Sequence, residues 1–140
     1  LTKIGLEIHC QLTKLESKLF CNCKADYRGI SSNSNICPVC IGLPGALPIL
    51  NKKAVEKATL ISLALKCQIP ERMGFFRKNY FYPDLPKGFQ ITQYNAYGPT
   101  SIGSDGTVHV EGKEIKIRRI QLEEDPGRLV YEGSSEKTQI

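Results

Sequence analysis

GTVHVEGKEIKIRRIQLEED, residues 106–125, is the stretch on which the fold turns. Gly106 and Gly112 bracket TVHVE, and EIKIRRIQL follows. Alternating apolar and polar residues on both sides of a glycine predict a hairpin with a long second strand, and hence an antiparallel sheet. That second strand runs into three adjacent carboxylates, Glu123, Glu124 and Asp125, ahead of a Pro-Gly turn.

Upstream of the hairpin, residues 75–94 (FFRKNYFYPDLPKGFQITQY) read as strand, turn and strand. Asn51 is a good helix N-cap, and a helical period follows over 52–66. Ala54, Val55, Ala58, Ile61 and Leu65 form its apolar stripe, with Leu60 and Ala64 beside them, while Lys52, Lys53, Glu56, Lys57 and Ser62 line the other side. The helix should stop before Pro70. Residues 42–50, GLPGALPIL, place prolines among apolar residues and predict an extended or turning segment. At the N-terminal side, KIGLEIHCQL (3–12) alternates strictly, which predicts a half-buried strand with Ile4, Leu6, Ile8, Cys10 and Leu12 on its apolar face. The last residues, SSEKTQI, are expected to fray. The fold class is therefore α+β, mostly antiparallel sheet with few helices and an irregular, Asn/Ser/Gly-rich loop from Cys21 to Cys40.

Composition narrows the function classes. The 140 residues are 41% hydrophobic and 24% charged, which excludes disordered, collagenous and coiled-coil chains. No apolar run is long enough for a membrane span, and Glu7 and His9 interrupt any leader-like stretch, so a cytoplasmic setting is expected. The net charge of +5 lies in the first half: residues 1–70 carry nine basic and four acidic side chains, residues 71–140 ten of each. That permits an anionic partner without demanding one.

Four of six cysteines are clustered as Cys21-x-Cys23 and Cys37-x-x-Cys40. In a reducing compartment two close thiol pairs fit a structural, closed zinc site of four thiolates. Free or disulfide-paired thiols and an iron–sulfur cluster are the alternatives. Cys10 and Cys67 stand alone and are expected to be buried apolar thiols. Glu7 and His9 share one face of their strand, either a solvent face or one turned to a polar site. The run Glu123-Glu124-Asp125 is either a solvated acidic turn or a hard-cation site for Mg²⁺. Arg77, Lys78, Tyr80, Phe81, Tyr82, Lys87, Phe89 and Tyr94 interleave charge and rings, as a nucleotide or RNA site or a simple aromatic core would. Neither GxGxxG nor GxxxxGK[ST] occurs, which excludes Rossmann and P-loop nucleotide sites.

IGLEIHCQL (4–12), SKLFCNC (17–23), CPVCIGLPGALPILNKKAVEKA (37–58), RKNYFYPDLPKGFQITQY (77–94) and EEDPGR (123–128) together resemble the B subunit of the tRNA-dependent amidotransferases. The resemblance implies the N-terminal portion of a catalytic domain spanning 1–140, with a zinc loop at about 21–40, in a glutamine-synthetase-like antiparallel cradle. It implies later domains beyond this chain, and a piece that is inactive alone. It also implies ATP-dependent phosphorylation of the side-chain carboxylate of Glu-tRNA(Gln) or Asp-tRNA(Asn). Ammonia released by a glutaminase partner, the A subunit, then forms the amide, with a small C subunit to brace the two. The family's magnesium positions fall on Glu7, His9, Glu123 and Glu124, and its zinc positions on Cys21, Cys23, Cys37 and Cys40. Lys78, Lys87 and Arg119 are the candidates for phosphate or tRNA-end contacts. Gln121 and Pro126 depart from the His and the small residue usual in the family. Two rivals stand beside this reading: the archaeal E-type protein that acts on Glu-tRNA alone, and a zinc-stabilised RNA-binding module without catalysis.

Overall fold

The computed structural model of the protein describes residues 2–82, 85–127, 130–131 and 138–139. Pro83, Asp84 and Arg128, which belong to the blocks quoted above, and residues 134–137 and 140 of the expected frayed end lie outside them.

A single α-helix, α1 (Lys52–Ala64), is described, and it begins where the cap predicts: the Asn51 side chain accepts the Ala54 N–H at 3.3 Å. The same amide donates to Ser17 O at 2.9 Å, so the helix start also fastens the preceding loop. Beyond the C-cap Leu65 the chain leaves the helix through Lys66, in the left-handed region (φ 55°), and the Cys67 N–H reaches Ser62 O at 2.8 Å. Its buried face differs from the expected stripe. Ala54, Ala58 and Ser62 are buried, whereas Leu60, Ile61 and Leu63 are exposed. Ser62 can occupy the seam because its hydroxyl donates to Ala58 O at 2.9 Å and so needs no other partner.

The sheet is antiparallel throughout but comes as two-stranded ladders. Strands β1 (Phe76–Asn79) and β2 (Phe89–Thr92) pair in the register Phe76↔Thr92, as the 75–94 block predicts. Strands β3 (Gly103–Val110) and β4 (Lys113–Ile120) form the central hairpin. Its turn residues Glu111 and Gly112 both have positive φ (50° and 75°), which is the geometry a right-twisted two-residue hairpin needs. The first strand starts three residues ahead of Gly106 because that glycine has a packing role rather than a boundary role. A β-carbon on it would sit 2.4 Å from Cys67 Sγ and 2.5 Å from Leu65 O. A β-carbon on Gly103 would meet the Ser62 side chain at 2.7–2.8 Å, so both glycines let β3 pack closely on the end of α1 and the turn after it, and Cys67 is buried as expected. Ala58, Ile102 and Leu122 form the core, with Leu12, Leu19, Val55, Met73, Phe75 and Ile120 packed around it.

Further expectations differ from the structure. Residues 3–12 form no strand, and Ile4, Leu6 and Ile8 are 88%, 86% and 77% exposed. Alternation specifies two faces but supplies no neighbouring edge, and none of the described strands lies alongside to take up the backbone groups. Cys10 is consequently exposed rather than buried. At the other end, β5 (Val130–Tyr131) pairs with β6 (Thr138–Gln139), so that part of the tail is held by a ladder and does not fray. No described helix is long and apolar enough to cross a membrane.

The α1–β3 contact gives a stability test. Gly106→Ala should destabilise the protein by about 1–3 kcal/mol, because the methyl meets a backbone carbonyl that cannot move aside. A fall in the thermal midpoint of a few degrees checks this; an unchanged midpoint would show that the seam is loose.

Candidate functional site

The Cys21–Cys40 region is folded by its own short ladder. Lys18 N–H donates to Cys23 O at 2.9 Å, Ser17 bridges Lys24, and the Asn35 side chain pairs with the Lys24 backbone in both directions. These bonds bring the two thiol pairs together: the Sγ atoms of Cys21, Cys23, Cys37 and Cys40 all lie within 4.8 Å of one another. Cys21 and Cys40 are 3.5 Å apart, Cys37 and Cys40 3.7 Å. A disulfide needs about 2 Å. A tetrahedron with zinc–sulfur arms of about 2.3 Å has edges of about 3.8 Å, so the spacing fits a four-thiolate ion site. Burial pushes the Cys21 and Cys23 thiols up. Burial also raises Cys37, but the Cys40 and Val39 amides and the Cys40 and Cys23 thiols outweigh it and bring Cys37 down to about 7. Lys18, absent from the sequence reading, donates to Asn35 O at 2.8 Å and to Cys40 Sγ at 3.4 Å. It sets a positive charge beside a site that would carry net negative charge when loaded.

The acidic run is placed by β2. Thr92 bridges Glu123, and Glu124 N–H donates to Ile91 O at 2.9 Å. On extended backbone neighbouring side chains point to opposite sides, and these two carboxylates do so. Glu123 meets His9, 114 residues earlier, whose Nδ1 donates to Oε1 at 2.9 Å. The other ring nitrogen faces Glu7 at 3.6 Å. With Nδ1 engaged, Nε2 is the nitrogen left to offer a lone pair beside the Glu7 carboxylate. All three groups are substantially exposed. Glu124 turns inward instead: it pairs with Lys87, and its Oε2 accepts the Ile91 N–H at 3.0 Å. Glu7, His9 and Glu123 thus form an open chain of contacts, and Glu124 stands apart. Among the described residues the four thiols are the one compact group of metal-ligating atoms.

The three candidate cations separate. Lys78 is exposed on β1, with Nζ over the Tyr80 ring at 5.4 Å, and Arg119 is exposed on β4 opposite Ser104. Lys87 is only 1% exposed and is committed to Glu124. The aromatic block splits as well. Phe75 packs edge-on against Phe20, with ring centroids 5.1 Å apart, while Phe81, Tyr82 and Tyr94 are exposed. Phe81 and Tyr82 line an open hollow of about 620 Å³ with Ile41, Leu85, Pro86, Lys87 and Gly88.

Residues 2–140 match the family described as "GatB/GatE catalytic domain". The chain belongs to that family. It is 56% identical over 140 residues to the B subunit of the aspartyl/glutamyl-tRNA(Asn/Gln) amidotransferase of Methanosarcina mazei, covering 97% of this chain and 28% of that protein. The same-named proteins of Saccharolobus solfataricus and Aeropyrum pernix are 51% and 49% identical, over 96% and 94% of this chain and 29% and 28% of theirs. The chain therefore spans under a third of the length of these relatives.

Sequence reasoning missed Gln93. Its Oε1 accepts the N–H groups of Ile102 and Leu122, each at 3.0 Å, and its backbone oxygen accepts Gln121 Nε2 at 2.9 Å. The available signal was weak: FQITQ holds two glutamines, and both Gln90 and Gln93 are buried. Gln121, the departure noted above, thus holds the backbone next to the acidic run.

For the thiols, alkylation of metal-free protein at pH 7–8 should modify Cys37 ahead of Cys21. Cys37 loses its proton near neutrality while Cys21 keeps its own. Raising the pH from 6 to 8 should speed the Cys37 reaction by roughly tenfold, read by peptide mass spectrometry.

Proposed function

We propose that this chain is part of the catalytic domain of an amidotransferase B subunit that converts misacylated Glu-tRNA(Gln) or Asp-tRNA(Asn) to Gln-tRNA or Asn-tRNA. The observation that carries the reading is the meeting of His9 and Glu123 across 114 residues, with Glu7 on the ring's other side. Family membership and the names of the relatives support the reaction class. Those relatives are B subunits, which favours this reading over the E-type alternative.

The chemistry is a two-step acyl transfer. A carboxylate is a poor acyl donor because its leaving group would be oxide. Attack of its oxygen on the γ-phosphorus of ATP breaks the bond to ADP and gives an acyl phosphate. Ammonia then attacks the carbonyl carbon, and phosphate departs with the electron pair. Mg²⁺, when bound, would neutralise charge on the phosphate oxygens. Glu7 and the His9 Nε2 are the groups that would hold it in this arrangement, with Glu123 fixing the ring from Nδ1; Glu123 would join them as a ligand on opening that exposed contact. Glu124 acts through Lys87, keeping a buried cation next to the same backbone. Lys78 and Arg119, both exposed, are the side chains for phosphate or tRNA-end contacts. The thiol cluster would hold structural Zn²⁺, with no open position for catalysis. Ammonia from the glutaminase A subunit, bracing by the small C subunit, a cytoplasmic setting and the glutamine-synthetase-like cradle complete the proposal.

The test uses the full-length protein in its assembled enzyme. His9→Ala and Glu123→Ala should each lower ATP-dependent amidation by about 10²–10³-fold while tRNA affinity stays within about twofold. Parallel loss of tRNA binding, or no loss of amidation, would favour the RNA-binding module. Amidation of misacylated Asp-tRNA separates the B-type from the E-type reading.

A further inference from the structure

The CPVC turn closes in a specific way. Gly42 N–H donates to Val39 O at 3.2 Å and Leu43 N–H to Pro38 O at 2.9 Å, with Gly42 left-handed at φ 68°. Those paired bonds are a Schellman closure, in which the glycine's place follows from the turn before it. Cys40 lies inside that turn and Cys37 adjoins it, its carbonyl accepting the Ile41 N–H at 3.2 Å, so whatever fixes their sulfurs also fixes Gly42.

A side chain at Gly42 would press on its neighbours. A β-carbon there would lie 3.0 Å from Lys87 Cβ and 3.1 Å from the edge of the Phe89 ring. Its neighbour Ile41 faces the same segment across the hollow shared with Leu85, Lys87 and Gly88. Phe89 in turn is held between two cations, with Arg77 at 4.6 Å and Lys87 Nζ at 4.7 Å from its centroid. Lys87 is the buried partner of Glu124, whose backbone and carboxylate are both bonded to Ile91. A continuous set of contacts therefore runs from the thiol pair through Gly42 to Phe89, Lys87 and Glu124.

We propose that Gly42 is a positioning residue through which the metal-loaded state of the four-thiolate cluster holds Lys87 in its buried pairing with Glu124. The thiol site then does more than close its own loop: it braces the carboxylate beside the Glu123–His9 contact. This inference rests on the proposed zinc site and on the packing, and does not require the proposed amidation reaction.

The geometry provides its own control. Gly45 is equally left-handed (φ 80°) three residues on, but a β-carbon there meets nothing within 4 Å. Gly42→Ala and Gly45→Ala therefore carry similar backbone strain, and only the first presses on Lys87 and Phe89. The readout is acylation of Lys87 by a small anhydride, whose carbonyl the Nζ attacks with loss of a carboxylate, in the full-length protein, by mass spectrometry, normalised to exposed Lys78. Metal content is measured in parallel.

In the zinc-loaded parent, Lys87 should be strongly protected. Gly42→Ala should raise its labelling by about tenfold or more, and Gly45→Ala should leave it near the parental level. Stripping zinc from the parent should raise it as well, which tests the coupling even if Gly42→Ala does not retain metal. Unchanged protection of Lys87 after metal removal would overturn the proposal. So would equal effects of the two alanine variants. Loss of amidation with Lys87 still protected would count against the brace and not against the reaction.

Discussion

One buried amide joins the two main ladders of this fold. Gln93, 2% exposed, extends β2 and accepts two backbone N–H groups on a single oxygen, from Ile102 at the head of β3 and Leu122 just past β4. Both donors belong to core residues, and a buried N–H without a partner costs about 1–3 kcal/mol. The side chain therefore stands in for a strand the described residues do not have. It joins the ladder of β1 and β2 to the hairpin of β3 and β4 without a continuous sheet. The Gln93 backbone N–H donates to Leu122 O at 3.2 Å, which sets the register of everything that follows.

That register decides the chemistry. With Leu122 fixed inward, Glu123 and Glu124 must leave the backbone in opposite directions. One becomes an exposed partner for His9, and the other a buried partner for Lys87. A buried ion pair is a poor source of net stability, but breaking it leaves an uncompensated charge, so it holds its members firmly in place. The exposed contact can open to a ligand at little cost. Two adjacent glutamates thus serve as a fixed element and an available one.

The thiol loop lies on the other flank of the same segment. Its internal ladder, the Lys18 contact to Cys40 and the Asn51 grip on Ser17 tie it to the start of α1, while Gly42 lies on Lys87 and Phe89. Glycines recur where a backbone packs directly on its neighbours: Gly42 on the Lys87 and Phe89 side chains, Gly103 on Ser62, and Gly106 on Cys67 and the Leu65 carbonyl. At such seams packing is limited by the first added carbon, and the contact is all-or-none.

Local chemistry was legible in the sequence wherever a few neighbouring residues decide the outcome. The Asn51 cap, the Glu111-Gly112 turn, the strand–turn–strand of 75–94 and the two thiol pairs all follow from short-range sterics and hydrogen bonding. Long-range packing set which face of α1 is buried, because Ser62 rather than Ile61 fits against Gly103. It also left residues 3–12 without a strand, since alternation cannot supply a neighbouring edge. And it separated Glu123 from Glu124, adjacent in the chain, because a side chain 29 residues away from Leu122 chose the direction in which each one points.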